Sequence, residues 1–427
     1  MKRRTTLRAT LTGLLLAAAL AAPGTASSHG DWGHIHVTGW AIENLPPGPL
    51  RSFFSEPAVF NAALYGAAFP DSGYWVDTGP TREYAEYAHW EPFIESFIQL
   101  IRSEHPPGFW SPEERKLVAF MMGCAAHGLQ DEIFDSTFLF QVAEHDGKGQ
   151  SEADGGTDFF LIDEGHQRFL PERFLPMDTL LRLYAERPEA ITQETILSGV
   201  DTQESTYVND GLGLQIARSL APASRELIPW TAQHYLDPEV PGILYTEITP
   251  TMQYLQAVWD RLHGRWKSGR DPVVHVFPDD GRALRSASAG TVDGWVTMIL
   301  GKGIAIDSAA GTLLGAHGTT VDARFTGTRW GHPFPRVVRF QPSVDLEPGR
   351  RYTAVLHAGA EMIDRGGTTG PHRATVRAAC DDRAHGCPGG RSSEGPKIDG
   401  SARHAAQRRC VARSPGGARC PGPVPLR

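Results

Sequence analysis

One predicted helix carries three side chains with the chemistry and spacing of metal ligands. They are His127, Asp131 and Asp135, which follow one another at intervals of four. Residues four apart share one face of a helix, and Leu117 and Phe120 earlier in the segment indicate that this face points inward. Carboxylates are rarely buried unless they are paired or bind a metal. The stripe therefore indicates a metal site or, as the alternative, a buried His–Asp hydrogen bond without a metal.

Local signals define where this helix begins. Ser111 is a favoured N-cap, Pro112 suits the first helical position, and Glu114 completes a capping box. We therefore predict a single helix over residues 111–135. Cys124 falls on its inward face and is predicted to be a buried thiol.

Further candidate ligands are spread over the first 160 residues. Each has an ordinary structural alternative, such as a turn, a helix cap or a solvated surface position. The candidates are His34, His36, Asp71, His89, Asp154 and Asp158. Taken singly, none of them establishes a site.

Composition and the N-terminal residues limit the classes of protein to which the chain can belong. The chain has 427 residues, of which 41% are hydrophobic and 21% charged, and its net charge is −8. This length predicts two to three domains, and the acidic balance argues against a general nucleic-acid binder. Residues 1–26 combine a basic start, an apolar run too short to span a membrane, and small residues for cleavage. We predict a signal peptide and a secreted protein without a transmembrane segment.

The sequence pattern changes from helical spacing to short β-rich runs near residue 269. Helical spacing recurs before that point, in segments 34–45 (amphipathic), 92–102, 175–186, 192–197, 223–235 and 252–262. A Gly- and Asp-rich stretch, 138–170, is predicted to be a long connection without regular structure. Short β-rich runs follow at 273–278, 294–300, 336–340 and 352–356. They predict a β-sandwich, and the segment 346–353 resembles bacterial immunoglobulin-like modules.

These observations predict four parts. Residues 1–26 are the signal peptide, 27–267 a helical domain, 270–380 an immunoglobulin-like β-sandwich, and 381–427 a disordered tail. The tail is rich in Gly, Arg, Ser and Pro and has few large apolar residues, so it cannot bury enough surface to fold. Cys380 and Cys387 are close enough in sequence to close a small disulfide loop.

Four short segments, taken in chain order, resemble one family. They are residues 67–71 (Ala-Ala-Phe-Pro-Asp), 88–93 (Ala-His-Trp-Glu-Pro-Phe), 116–120 (Lys-Leu-Val-Ala-Phe) and 126–131 (Ala-His-Gly-Leu-Gln-Asp). They are similar to motifs of the zinc-dependent phospholipase C superfamily, above all to the phospholipase domain of glycosylphosphatidylinositol-specific phospholipase D. The superfamily also includes zinc-dependent single-strand nucleases. The resemblance extends over about residues 34–265 and implies an all-α metal-dependent domain.

The resemblance implies a site for two to three zinc ions. Asp71, His89, His127 and Asp131 would hold one ion. Asp131 would bridge to a second ion, which His34 and the amine and carbonyl of the mature N-terminus would also bind. Asp71 would in addition act as the base that activates water.

The remaining ion's position departs from the family pattern. Asp135, Asp154 and Asp158 occupy it, and the first two replace the family's histidines. An all-oxygen ligand set suits Mg²⁺, Ca²⁺ or Mn²⁺ better than zinc. We therefore expect the third ion to be different, weakly bound or absent.

The sequence thus predicts a secreted phosphodiesterase of the phospholipase C or D type. Its expected substrate is a phospholipid or glycolipid, with transient contact to a membrane surface and no nucleic-acid partner. One alternative is a single-strand nuclease, but such an enzyme needs a basic track for phosphates, and no basic patch lies near the ligands in sequence. The other alternative is a non-catalytic surface-binding protein with a degenerate metal site, which the Asp replacements and the appended sandwich favour.

Overall fold

The first part of the chain is helical, as predicted. The computed structural model describes residues 30–76, 78–108, 110–205, 211–267, 269–328, 331–364 and 367–380, without the side chains of residues 211 and 212. The helices are α1 (Asp31–Glu43), α2 (Pro49–Phe53), α3 (Pro57–Ala68), α4 (Gly79–His89), α5 (Glu91–Glu104), α6 (Pro112–Ser136), α7 (Phe138–His145), α8 (Gln150–Asp163), α9 (Met177–Tyr184), α10 (Gln193–Gln203), α11 (Gly211–Leu227), α12 (Pro229–His234) and α13 (Ile248–Leu262). A 3-10 helix, Pro70–Trp75, connects α3 to α4. The predicted signal peptide and tail lie outside the described residues.

The long helix α6 forms the centre of this helical part. It begins as the sequence predicts: the Glu114 backbone N–H donates to the Ser111 hydroxyl, and the Glu114 carboxylate accepts from the Ser111 N–H. From Leu117 to Ser136 every residue is buried, because α3, α4, α5 and α13 surround the helix. Cys124 is a free, fully buried thiol, as predicted.

Three predictions about the helices are wrong. The stretch 138–170 is not a structureless connection, because it contains α7 and α8. Asp154 and Asp158 of α8 face the interior, so the inward face carries polar residues and the apolar periodicity is lost. The segment 223–235 is divided at Pro229 between α11 and α12. The segment that begins at His34 is not amphipathic: α1 is buried on nearly every side, since α3, α6, α8 and α13 pack around it.

The second part consists of two antiparallel four-stranded sheets, consistent with the predicted β-sandwich. The strands are β1 (Val273–Phe277), β2 (Val296–Leu300), β3 (Gly311–Leu314), β4 (Thr320–Val321), β5 (Ala323–Thr326), β6 (Val337–Pro342), β7 (Arg351–Leu356) and β8 (His372–Arg377). Sheet A has the order β1-β2-β6-β5, and sheet B has the order β4-β3-β7-β8. The four β-rich runs of the sequence correspond to β1, β2, β6 and β7. The shorter β3, β4 and β5, and β8, were not predicted.

The two central strands of sheet A, β2 and β6, are buried on both faces. In β2, Met298 and Leu300 belong to the core between the two sheets, whereas Ile299 packs into the core of the helical part. In β6, Val338 faces the sandwich core and Val337 faces the helices. Helices and sheets accordingly form one compact unit. The division of the chain into a helical domain and a separate β-sandwich domain, with the boundaries given above, therefore stays a prediction.

The last described residue, Cys380, is disulfide-bonded. Its predicted partner, Cys387, lies outside the described residues. No described helix has the length and apolar character needed to cross a membrane.

Candidate metal centre

Five of the predicted ligands meet at one buried point. Helix α1 supplies His34, the 3-10 helix supplies Asp71, the end of α4 supplies His89, and α6 supplies His127 and Asp131. All five are at most 5% exposed. Their donor atoms form two overlapping groups, each with its atoms within 4.8 Å of one another. The two groups are His34–Asp71–His127 and His89–His127–Asp131.

Four donor atoms on one side have the spacing of a tetrahedral site. The His89 Nε2 atom lies 3.0 Å from His127 Nε2, 3.2 Å from Asp71 Oδ1 and 3.2 Å from Asp131 Oδ2. His127 Nε2 lies 3.3 Å from Asp131 Oδ2 and 3.7 Å from Asp71 Oδ1. Zinc–ligand bonds of about 2.0–2.2 Å in a tetrahedron separate the ligand atoms by roughly 3.3–3.6 Å. These residues therefore fit a zinc ion.

The second oxygen of each aspartate faces His34. Its Nε2 atom lies 3.0 Å from Asp131 Oδ1 and 3.9 Å from Asp71 Oδ2. Each carboxylate thus places one oxygen toward the His89–His127 side and the other toward His34. This arrangement suits two ions bridged by carboxylates. The bridging role was predicted for Asp131, and the structure gives Asp71 the same geometry.

Acceptors on the outer nitrogens orient the three histidines. His89 Nδ1 donates to the Ala85 carbonyl at 2.6 Å, and His127 Nδ1 donates to the Ala67 carbonyl at 2.7 Å. His34 Nδ1 donates to Gln130 Oε1 at 2.9 Å. The proton is therefore held at Nδ1, so the Nε2 lone pair of each ring points into the cluster. Metal-binding histidines are usually oriented by such outer hydrogen bonds.

The facing nitrogens of His89 and His127 require a positive charge between or beside them. Two Nε2 lone pairs 3.0 Å apart repel each other unless a cation or a proton intervenes. Burial opposes protonation of His89, but Asp71 and Asp131 outweigh it and raise its pKa to about 9. The surroundings therefore favour a positive charge at this nitrogen, which a metal ion would supply.

Additional acidic side chains are crowded into the interior beside the cluster. Burial and the neighbouring Asp71 and Asp158 raise the pKa of Asp31 well above its ordinary value. Burial, Asp131 and Asp135 do the same for Glu247. Buried charge of one sign is costly unless ions of the other sign neutralise it. A set of cations would relieve this repulsion.

The predicted third position is less compact. Asp135, Asp154 and Asp158 are buried but belong to neither of the two close groups. Burial and then Asp135 raise the pKa of Asp154, and Asp154 Oδ1 has no hydrogen-bond partner among the described residues. Asp158 accepts the backbone N–H groups of Trp32 and Gly33 at 3.1 and 2.9 Å. Asp158 therefore caps α1, and a third ion stays a prediction.

His36, the remaining candidate, lies outside the centre. Its Nδ1 atom donates to the Trp32 carbonyl, and its Nε2 atom accepts the Arg168 N–H at 2.6 Å. Burial lowers the pKa of His36 to about 4, so the ring is neutral and serves a structural role.

Sequence reasoning did not identify Asp31, Gln130 or Glu247 as parts of the centre. Asp31 lies three residues before His34, so helical spacing was a usable signal for it. Gln130 precedes Asp131 on α6, and its role depends on a contact with α1 that spacing does not reveal. Glu247 is fully buried just before α13, more than 100 residues from Asp131, and no local pattern marks it.

The chain is distantly similar to phosphatidylinositol-glycan-specific phospholipase D from several mammals. It is 29% identical to the Rattus norvegicus protein over an alignment of 173 positions, and the match covers 37% of this chain and 20% of the relative. The corresponding protein of Homo sapiens is 30% identical over an alignment of 166 positions, and the match covers 35% of this chain and 20% of the relative. The match thus spans a fifth of the relatives' length. No family profile matches the chain.

Solved structures add little. CopC from Methylosinus trichosporium OB3b is 17% identical and matches 25% of this chain and 91% of its own, with a TM-score of 0.20. The N-terminal part of the bacterial S-layer protein SbsC is 10% identical and matches 75% of this chain and 79% of its own, with a TM-score of 0.19. Scores this low carry no argument about fold or function.

Proposed function

We propose that this protein is a metal-dependent hydrolase that cleaves the phosphodiester bond of a phospholipid or glycolipid. The observation that carries the proposal is the convergence of three histidines and two bridging aspartates at the spacing of metal ligands. The similarity to a phosphatidylinositol-glycan-specific phospholipase D supports the substrate class. Because only a fifth of that relative is matched, the bond cleaved and the headgroup are part of the proposal.

The mixed set of imidazole nitrogens and carboxylate oxygens favours zinc in the two overlapping positions. Zinc ions bound there would lower the pKa of a bound water molecule and withdraw charge from the phosphoryl oxygens. The protein's own contribution is to hold the three imidazole protons at Nδ1 and to exclude bulk water from a site that is almost fully buried. Asp71, which faces both sides of the cluster, would accept the proton of the attacking water.

The all-carboxylate position is proposed as an accessory site. Asp135, Asp154 and Asp158 offer oxygen donors alone, which suit a hard cation such as Mg²⁺ or Ca²⁺. Asp158 already accepts two backbone hydrogen bonds, so we assign this position a smaller part in catalysis than the His-rich pair.

The predicted signal peptide supports export, and we place the reaction at an extracellular lipid surface. A lipid substrate requires only transient contact with the membrane. The protein would reach the phosphodiester from the aqueous side.

The proposal is tested by incubating the purified protein with vesicles of phosphatidylcholine or phosphatidylinositol and with a glycosylphosphatidylinositol-anchored protein, each with zinc and with a chelator. We expect zinc-dependent release of product from at least one of them. His127→Ala should abolish the release, whereas His36→Gln, at a buried histidine outside the centre, should retain it. No release from any lipid or glycolipid would reject the proposal, and faster digestion of single-stranded DNA would replace it with a nuclease.

A further inference from the structure

We propose that Arg336, a residue of the β-sandwich, is a positioning residue of the metal centre; the inference rests on the proposed function. Arg336 immediately precedes β6 in sheet A. Its side chain points away from the sandwich core into the helical part and is 0% exposed. An arginine is almost never fully buried unless its charge is paired, so its partners define its role.

Two of the three residues to which Arg336 donates connect it to candidate metal ligands: Glu132 is next to Asp131 in sequence, and His89 is itself a candidate ligand. Its backbone N–H and its Nε each donate to a different oxygen of Glu132, both at 2.6 Å. Its Nη2 donates to the backbone carbonyl of His89 at 2.9 Å. Its Nη1 donates to the Tyr254 hydroxyl at 3.3 Å. One guanidinium group therefore joins the helices α4, α6 and α13.

These contacts constrain the distance between two candidate ligands, His89 and Asp131. Glu132 follows Asp131 on α6, and His89 is the last residue of α4. The Nε atom of Arg336 donates to the Glu132 carboxylate, and the Nη2 atom donates to the His89 carbonyl. The spacing of 3.2 Å between His89 Nε2 and Asp131 Oδ2 thus depends on a side chain from outside the helical part.

Gly128 shows how closely the three elements approach at this point. A Cβ atom on Gly128 would lie 2.0 Å from the His89 carbonyl oxygen and 2.8 Å from Arg336 Nη2. Both distances are shorter than van der Waals contact permits. Only glycine on α6 lets the carbonyl of a ligand residue and the guanidinium meet against the helix.

The charges around Arg336 continue into a buried network between the two parts. Tyr254 donates to Glu91 at 3.1 Å, and Glu91 is paired with Arg261 at 2.6 Å. Arg261 also donates to the carbonyl of Gly301, which follows β2. Since sheet A in addition contributes Ile299 and Val337 to the helical core, the sandwich and the helical part are joined by both polar and apolar contacts.

The test compares two arginine-to-lysine changes in this network. Arg336→Lys keeps the charge, but a single ammonium group cannot span Glu132 and the His89 carbonyl. Arg261→Lys is the matched control, because Arg261 is also buried in the interface and its partners are Glu91, Glu95 and Gly301. Three quantities are measured on the full chain: zinc affinity by chelator competition, the visible absorption spectrum of the Co²⁺-substituted protein, and the melting temperature without metal.

We expect Arg336→Lys to weaken zinc binding by about 10- to 100-fold, as loss of a residue that orients ligands does, and to shift the Co²⁺ absorption bands. Arg261→Lys should lower the melting temperature yet leave zinc affinity and the spectrum as in the wild type. Wild-type affinity and an unchanged spectrum in Arg336→Lys would overturn the inference, as would an equal loss of affinity in Arg261→Lys.

Two further outcomes are decisive. If Arg336→Lys does not fold, Glu132→Gln breaks the same link from α6 with little change of volume. Weaker zinc binding in that variant supports the inference, and wild-type binding overturns it. A wild-type protein that binds neither zinc nor cobalt defeats the proposed function together with this inference. A wild-type protein that binds zinc while Arg336→Lys binds it equally well defeats the inference alone.

Discussion

At the scale of single residues, the geometry of the candidate metal centre depends on the groups that hydrogen-bond to its histidines as much as on the candidate ligands themselves. Two of the histidines donate to backbone carbonyls, which helices fix in place. His34 instead donates to the side chain of Gln130, which in turn donates to the Thr38 hydroxyl at 3.1 Å. The His34 side of the centre is therefore open to change by one substitution outside the ligand set.

Gln130→Met should reduce zinc binding on the His34 side by about 10- to 100-fold, because His34 loses the acceptor that fixes its proton. Gln141→Met is the control: Gln141 is also buried, but it donates to the Pro241 carbonyl away from the cluster. That change should cost about 1–3 kcal/mol of stability with unchanged zinc binding. Zinc titration of both variants checks the prediction, and equal affinity in the two would contradict it.

Asp131→Asn should remove more than one zinc ion per chain and abolish hydrolysis. Asp131 places one oxygen 3.2–3.3 Å from His89 and His127 and the other 3.0 Å from His34, and an amide bridges two cations poorly. Asp135→Asn should remove at most one ion and leave measurable activity, since Asp135 is outside both close groups. Metal analysis and the lipid assay compare the two. If they are equally damaging, the division into an essential pair and an accessory position is wrong.

The residues of the centre differ in how far sequence could predict them. His127 and Asp131 were predicted from helical spacing alone, because both lie on one helix. His34, Asp71 and His89 come from other elements, so only the family resemblance grouped them with the stripe. The contact between Arg336 and Glu132 joins residues 204 positions apart, and no local pattern encodes such a contact.

At the scale of elements, the crossing of α3 and α6 sets the position of His127. A Cβ atom on Gly66 would lie 2.2 Å from the Phe120 carbonyl oxygen, and one on Gly123 would lie 2.0 Å from the Ala63 carbonyl oxygen. The two helices therefore touch backbone to backbone. This close approach brings the Ala67 carbonyl within 2.7 Å of His127 Nδ1.

Gly123→Ala should lower the free energy of unfolding by about 1–3 kcal/mol or more, because the added methyl group forces the two helices apart, and it should weaken zinc binding through His127. Gly155→Ala on α8 is the matched control, since its Cβ would meet only Phe159 atoms at 3.7 Å. That change should stabilise the protein by about 0.5–1 kcal/mol. Chemical denaturation of both variants measures the effects, and a neutral Gly123→Ala would contradict the packing argument.

The element predictions succeeded where apolar spacing and capping agreed. Helix α6 begins at the predicted cap, and the two sheets contain the four β-rich runs. Helix α8 was missed because Asp154 and Asp158 occupy its inward face, where a pattern search expects apolar residues. The buried carboxylates of this helix therefore concealed it from a search for apolar periodicity.

At the scale of the whole molecule, an acidic interior is enclosed by helices and braced by sheet A. Asp31 and Glu247 have raised pKa values because of burial and neighbouring carboxylates. An acid whose pKa is raised in the folded state contributes stability that is fully present below its pKa in the unfolded state. That stability is lost as the pH rises through its pKa in the folded state. Bound cations would remove this penalty.

Chelation of the metals should therefore lower the melting temperature, and the loss should grow as the pH rises from about 4 toward 8. Metal-loaded protein should show a smaller dependence on pH over that range. Differential scanning calorimetry with and without chelator at several pH values checks both statements. A chelator-independent melting temperature at pH 8 would show that the carboxylates are stable without cations.

The most direct test of a two-ion centre is the metal content of the purified full-length protein, measured by mass spectrometry after dialysis against metal-free buffer. The convergence of His34, His89 and His127 on the two faces of Asp71 and Asp131 predicts at least two zinc ions per chain. One ion or none per chain would contradict the proposed centre.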